Sequence, residues 1–182
     1  MRAPGNPMLT EWHEWVIEGL GWAGLIIAAV GLTLSSRTAL LSSKVAADTV
    51  YAAHFWGLGG AYGAALSLLY AAAAATGMMS QAAAAEWLMR GLLLLLASAL
   101  IVFLYSGWHD IIVLLVTWVS FLAYAIRDNQ NIRWVMLLVV TPGWVLYSIM
   151  IGSLPGALAG VLYTAASILG MWRVARAERS CA

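Results

Sequence analysis

The chain holds a single cysteine, Cys181, beside its C-terminus, so no disulfide can form within it and no cysteine-based metal site can be built. Charge is scarce as well: 9% of the 182 residues are charged against 63% hydrophobic, and the mean hydropathy is +0.88. That leaves too little polar surface to coat a soluble globule, and the expected solvent is a lipid bilayer. A net charge of +1 excludes the strongly basic face that nucleic acid requires, and no nucleic-acid motif occurs. Walker loops, HExxH and nucleophile elbows are absent too, and no extramembrane stretch is long enough to hold a nucleotide. The chain is therefore not expected to be an enzyme, to carry a cofactor or metal, or to drive primary active transport alone. A secretory signal would need a basic region before its apolar core. Only Arg2 precedes the first apolar run, together with Glu11, Glu14 and Glu18, so an uncleaved first span is expected.

A transmembrane helix takes roughly 20 apolar residues. Seven segments qualify: 15–34, 38–58, 60–79, 84–105, 110–126, 132–151 and 154–173. Residues 1–14, with two of the four prolines in the first ten, read as a short, poorly ordered extracytoplasmic lead, and residues 174–182 as a cytoplasmic tail. Ser36 or Thr38 can cap the second helix, Asp110 the fifth, and Pro155 suits the first turn of the seventh. Arg37, Lys44, Arg90, Arg127, Arg133, Arg173, Arg176 and Arg179 all fall at or near one set of helix ends, leaving only Arg2 opposite. Loop positive charge marks the cytoplasmic side, which puts the N-terminus outside and the C-terminus inside. Trp12, Trp15, Trp56 and Trp108 should belt the outer interface, and Trp87, Trp134 and Trp172 the inner one.

The chain is built twice. Residues 50–78 return 93 positions later as 143–171, and between Gly59 and Met78 nine of twenty positions are identical in the copy. Registered glycines and the Tyr70/Tyr163 pair carry this match better than the alanines do. The offset maps helix two onto six, three onto seven and, by position, one onto five. The plan is a first triplet over 15–79, a linker helix over 84–105 and a second triplet over 108–173. An odd linker makes the triplets parallel, related by an axis along the membrane normal.

This layout resembles the SWEET and PQ-loop superfamily, and the PnuC vitamin carriers that share it. In sequence the chain looks more like the YgjV-type bacterial inner-membrane family, through His54-Phe55 followed by Gly59, and Trp144-Val145 followed by Gly152-Ser153 and Gly156. The resemblance implies location in the bacterial inner membrane and an all-α polytopic fold of seven helices, in which the third helix of a triplet lies between the first two. It implies little chemistry. The prolines in the first two helices of each triplet that SWEET-type carriers share are missing here apart from Pro142, and no Pro-Gln pair exists.

Polar groups inside the spans are few, and Asp48 is the most informative, because it falls near mid-bilayer, where a charge costs at least ~2.5 kcal/mol. At 100° per residue Lys44, Asp48, Tyr51 and His54 share one face. In the copy Thr141, Trp144 and Tyr147 replace Asp48, Tyr51 and His54, so a pseudo-twofold pocket would be charged on one wall and aromatic on the other. Tyr70 and Tyr163 are candidates for the same cavity, with Trp118 and Tyr124. The functional reading is a solute-binding or proton-accepting site, with Asp48 titrating and His54 as a relay. The bland reading is that Lys44 and Asp48 neutralise each other while Lys44 snorkels, and that each tyrosine packs at a helix crossing. Pro142 is a hinge or a tolerated kink. The ladders Gly59, Gly63, Ser67 and Gly152, Gly156, Gly160 read as packing surfaces, and His109-Asp110 as a helix start at the outer interface.

The leading expectation is a carrier or facilitator for a small polar solute, proton-linked through Asp48. The alternative is a non-transporting scaffold or partner subunit. An intramembrane enzyme built on Asp48 and His54 would need further acid–base or metal residues at the same depth. The partners expected are the bilayer and the solute, with a homodimer compatible.

Overall fold

A computed structural model describes residues 7–33, 37–79, 83–123, 134–165 and 168, and every regular element among them is a helix. In chain order these are α1 (Pro7–Thr33), α2 (Arg37–Gly57), α3 (Ala61–Met79), α4 (Ala83–Leu104) and α5 (Trp108–Ala123). A π-helical stretch, Met136–Val140, then runs straight into α-helical Thr141–Met150, the two together being α6. Leu154–Ala165 is α7. Two stretches are long and apolar enough to cross a membrane on their own, His13–Gly31 in α1 and Trp87–Leu104 in α4; α3, α5, α6 and α7 contribute shorter apolar helices.

The apolar side chains point the wrong way for water. Of the α4 stretch only 11% is buried, and Leu95, Val102 and Phe103 are 70%, 75% and 82% exposed. A helix so apolar and so little covered needs a non-aqueous surround. Trp15, Trp56 and Trp108 stand exposed near one end of the bundle, and Trp87 and Trp134 near the other; Trp12 and Trp172 lie outside the described side chains.

The structure differs locally from the hydropathy reading in two places. The first helix is already helical at Pro7, where the described residues begin, eight positions ahead of Trp15. Glu11 and Glu14 therefore sit on a helical extension of the span. In α6, Pro142 cannot donate to the carbonyl four residues earlier, and its ring crowds that turn. The chain widens to a π-turn just upstream and resumes the α-helix at Thr141. The starts of α2 and of α6, and the far end of α7, adjoin residues outside the described set, where Ser36, Tyr124, Arg127, Arg133, Arg173, Arg176 and Arg179 also lie.

Helix order within the first triplet also differs from what the SWEET resemblance implies. α2 packs extensively on both α1 and α3, and so lies between them, instead of α3 lying between α1 and α2. Glycines allow it: a side chain at Gly24 of α1 would press on the Tyr51 ring at 3.2 Å, and one at Gly57 on Ile17 at 2.6 Å. α3 continues to α4 and α5, and α5 to α6.

The turns that end α2 and α6 are built alike. Each closes with a glycine in the left-handed region, Gly59 (φ 85°) and Gly152 (φ 76°). Around Gly59 the bonds run Gly59 N–H to Trp56 O (3.0 Å) and Gly60 N–H to Phe55 O (2.8 Å). Around Gly152 they run Gly152 N–H to Ile149 O (3.1 Å) and Ser153 N–H to Ser148 O (2.7 Å). Both are Schellman closures, at positions 93 apart. The residue after the glycine then serves as N-cap of the next helix, since Ala64 N–H bonds to Gly60 O and Ala157 N–H to Ser153 O. One residue ends one helix and starts another, so α2–α3 and α6–α7 are held as tight antiparallel pairs.

Candidate functional site

The N-termini of α3 and α7 meet the ends of α2 and α6 at one end of the bundle. A helix N-terminus leaves N–H groups without intrahelical partners, and the two caps are completed differently. Ser153, N-cap of α7, accepts the Gly156 N–H at 3.1 Å through its own hydroxyl. Its hydroxyl also lies 2.7 Å from His54 Nε2 on α2, while His54 Nδ1 lies 2.7 Å from the Ile17 carbonyl of α1. A carbonyl can only accept, so Nδ1 carries the ring proton and Nε2 accepts from Ser153, a tautomer assigned from the network. His54 is fully buried with both nitrogens engaged, tying α1, α2 and α7 together.

At α3 the N-cap is Gly60, which has no hydroxyl to offer. The phenol of Tyr147, from α6, supplies one instead, accepting the Gly63 N–H at 3.1 Å. A side chain at Gly60 would meet that phenol oxygen at 2.8 Å, so the glycine makes room for it. Tyr147 is the counterpart of His54 in the repeat, and Gly60 that of Ser153. Long ring with glycine on one side answers short ring with serine on the other.

Below these caps lies an aromatic cluster joining α2, α3, α5 and α6. Phe55 stacks on Trp144 (6.2 Å between centroids, 10° between planes) and on Tyr51 (5.7 Å), and Tyr147 meets Phe55 and Trp144 edge-on at 5.8 Å each. Tyr70 meets Trp144 at 5.9 Å and Phe121 at 5.2 Å. Tyr163 of α7 packs beside Tyr51 and Phe55 with Leu25 and Ala159. Tyr70 against Trp144, and Tyr163 against the cluster that holds Tyr51, are again equivalent at the 93-residue offset. Of the residues singled out in the sequence, Tyr51, Tyr70, Trp144, Tyr147 and Tyr163 are thus brought together.

Deeper along α2, Lys44 Nζ bonds Asp48 Oδ2 at 2.9 Å and stands 5.4 Å above the Tyr70 ring. The side chains keep 38% and 16% exposure, so this charged pair is neither sealed in the core nor free in solvent. It adjoins the aromatic cluster through Tyr70 and through Tyr51, one turn along the helix. Thr141 instead faces Gly160 of α7. Trp118 points away from the cluster: it is exposed, and its indole N–H donates to Ser98 Oγ of α4 at 3.1 Å. Pro142 is exposed at the π-to-α junction of α6.

Two features carry more than the sequence reading assigns to them. Phe55 is the centre on which the aromatic contacts converge, meeting Tyr51, His54, Trp144 and Tyr147, and Phe121 holds Tyr70 from α5. Asp110, read as a simple helix start, does accept the Ser106 and Gly107 N–H groups ahead of α5, but it is fully buried. Among the described residues no group of three or more His, Cys, Asp or Glu could hold a metal ion.

No curated protein and no solved structure matches the chain. A family model described as a bacterial inner membrane protein matches residues 15–178, the greater part of the sequence. The chain, with its exposed apolar helices, belongs to the Imp-YgjV family of bacterial inner membrane proteins.

Proposed function

We propose that the protein is a carrier or facilitator for a small polar solute. It would cross the inner membrane seven times as two parallel triplets joined by α4, with the N-terminus and the α2–α3, α4–α5 and α6–α7 turns outside. The observation that carries this reading is the reciprocal exchange between the halves. Tyr147 caps α3, His54 holds the cap of α7, Tyr70 meets Trp144 and Tyr163 packs against the cluster that holds Tyr51, each pair matched at the repeat offset. Such exchange supports a pseudo-twofold axis between α2 and α6, where carriers built from repeats put their solute near the bilayer midplane. Lys44 and Asp48 would offer a donor and an acceptor there, and Tyr51, Tyr70, Trp144 and Tyr163 the aromatic wall. In this reading His54 and Tyr147 close the outer end.

The test is a thermal-shift screen of detergent-purified protein against sugars, amino acids, nucleosides and vitamins at two pH values, beside Asp48→Asn. A compound that stabilises the wild type but not the variant supports the site. The Lys44–Asp48 bond favours a second reading, a non-transporting scaffold in which the pair only neutralises itself. If no compound shifts the wild type and Asp48→Asn alters only the baseline melting temperature, the scaffold reading takes over.

A further inference from the structure

The hydroxyl of Tyr51 is buried and makes no hydrogen bond among the described residues. Its ring is held in place: it stacks on Phe55 at 5.7 Å, and on the α1 side a side chain at Gly24 would come within 3.2 Å of Cδ2 and Cε2. Helical side chains lean toward the N-terminus of their helix. The phenol therefore reaches back along α2 toward Asp48 and Lys44, three and seven residues earlier on the same face. Asp48 does not take it up; that carboxylate bonds Lys44 through Oδ2. A buried hydroxyl without a partner is costly, and the few that folded proteins keep mark functional places or sites filled from outside the chain.

The charges beside the phenol indicate what would fill it. Lys44 and Asp48 sum to zero, so a solute carrying a single charge would bring that charge uncompensated to mid-membrane. An uncharged solute asks only for donors and acceptors, which serine, threonine or asparagine supply without the cost of an ion pair at this depth. A sugar ring also asks for an aromatic face, and here the faces are spent: Tyr51 and Trp144 stack on Phe55, and Tyr70 carries the Lys44 ammonium. The repeat restricts the choice further. Leu137 and Thr141 stand where Lys44 and Asp48 do in the first half, so α2 alone offers both charges, 2.9 Å apart. A solute that answers both must hold its own two charges equally close together.

We infer that the solute is a small zwitterion of the α-amino-acid kind, held by Asp48, Lys44 and the Tyr51 phenol. Its ammonium donates to Asp48, and its carboxylate accepts from Lys44 and from the Tyr51 O–H. The Lys44 side chain keeps 38% exposure, and its head sits on a flexible four-carbon stem, so it turns from Asp48 to the solute while the backbone stays. One ion pair within the protein becomes two between protein and solute, with no net charge added to the membrane. The phenol acquires the acceptor that the chain does not give it. Tyr51 is thereby the residue that reads the carboxylate, and a solute with an amine alone leaves it unsatisfied.

The inference rests on the carrier reading, and its test tells the failure of one from the failure of the other. Thermal unfolding of the whole chain in detergent is followed with glycine, L-alanine, L-leucine and L-phenylalanine, each beside its methyl ester and its matching 2-hydroxy acid, and with D-glucose and uridine. Expected is an amino acid that raises the melting temperature while its ester, a cation, and its hydroxy acid, an anion, do not. Tyr51→Phe should bind that amino acid roughly tenfold more weakly, the loss of one hydrogen bond to a charged group. Without solute it should melt no lower than wild type, because the hydroxyl it loses bonds to nothing in the fold. A shift by glucose, uridine or a singly charged analogue, with none by the amino acids, leaves a carrier standing and overturns the zwitterion. A Tyr51→Phe variant that binds the amino acid as tightly as wild type, or that unfolds at lower temperature by itself, overturns the role of the phenol and the inference with it. No shift from any compound removes the carrier reading and this inference together.

Discussion

The reciprocal caps make a sharp prediction about a pair of substitutions, Gly60→Ser and Tyr147→His, which together rewrite the first half's cap in the residues of the second. Alone, Gly60→Ser places a side-chain carbon 2.8 Å from the Tyr147 oxygen and 3.3 Å from Ile151 Cδ1, an overpacking that costs ~1–3 kcal/mol. Alone, Tyr147→His withdraws the phenol from the Gly63 N–H and buries a ring nitrogen without its partner, a loss of ~1–3 kcal/mol. Combined, the shorter ring vacates the space the serine needs. The serine hydroxyl can then accept from Gly63 and donate to the new histidine, as Ser153 does between Gly156 and His54. The two changes should therefore cost less together than the sum of their separate effects, with a coupling of ~1–3 kcal/mol. Unfolding by SDS in mixed micelles, followed by tryptophan fluorescence across the four proteins of the cycle, measures it. Strict additivity, or a double variant worse than the sum, would refute the equivalence of the two caps.

The remaining predictions concern the same turns. Gly59→Ala and Gly152→Ala meet no steric obstacle but force an L-residue to positive φ, and each should lower stability by ~1–2 kcal/mol in the same unfolding assay, with equal losses at the two sites. Ser153→Ala leaves both the Gly156 N–H and His54 Nε2 without a partner, so it should cost ~2–3 kcal/mol, against the ~1 kcal/mol of an ordinary N-cap loss. A Ser153→Ala loss that His54→Gln does not diminish would mean the histidine contributes nothing to that cap.

Hydropathy located the described helices to within a few residues, because apolar runs and the glycines that stop them are local properties. Where it missed, the cause was not local. The helical extension from Pro7 to Glu14 looks extramembrane by composition, since hydropathy reports the surround and not the hydrogen bonding. A capping aspartate with a solvated outer face reads the same as Asp110, whose second oxygen is aimed inward. Helix order within the first triplet depends on which faces carry glycine opposite bulky rings, and Gly24 against Tyr51 puts α2 in the middle. The aromatic cluster is half legible: the repeat and the shared helix face point to Tyr51, Tyr70, Trp144, Tyr147 and Tyr163, whereas Phe55 stands out only as a family mark. One signal could have been used: where His54 gives way to Tyr147, Gly60 gives way to Ser153, and the two differences compensate only if each ring reaches into the opposite half.

In the carrier reading, the chemistry of the closure bears on whether it can open. His54, Ser153, Tyr147 and Gly63 meet through hydrogen bonds with no carboxylate or ammonium among them. Parting the halves there gives up two such bonds, worth ~0.5–1.5 kcal/mol each net, and the Phe55–Trp144 stack, worth ~0.5–1.5 kcal/mol. Water entering the gap satisfies the freed Gly63 N–H and the serine hydroxyl. The open form then lies a few kcal/mol above the closed one, a minor state that a modest difference in ligand affinity can make the major one. A salt bridge at the same place would cost ~3–5 kcal/mol more to break if one partner stayed buried. The Lys44–Asp48 charged pair stands instead below the aromatic cluster. Charge placed next to a neutral closure, and not within it, lets a solute that binds beside Lys44 and Asp48 bias this small energy difference.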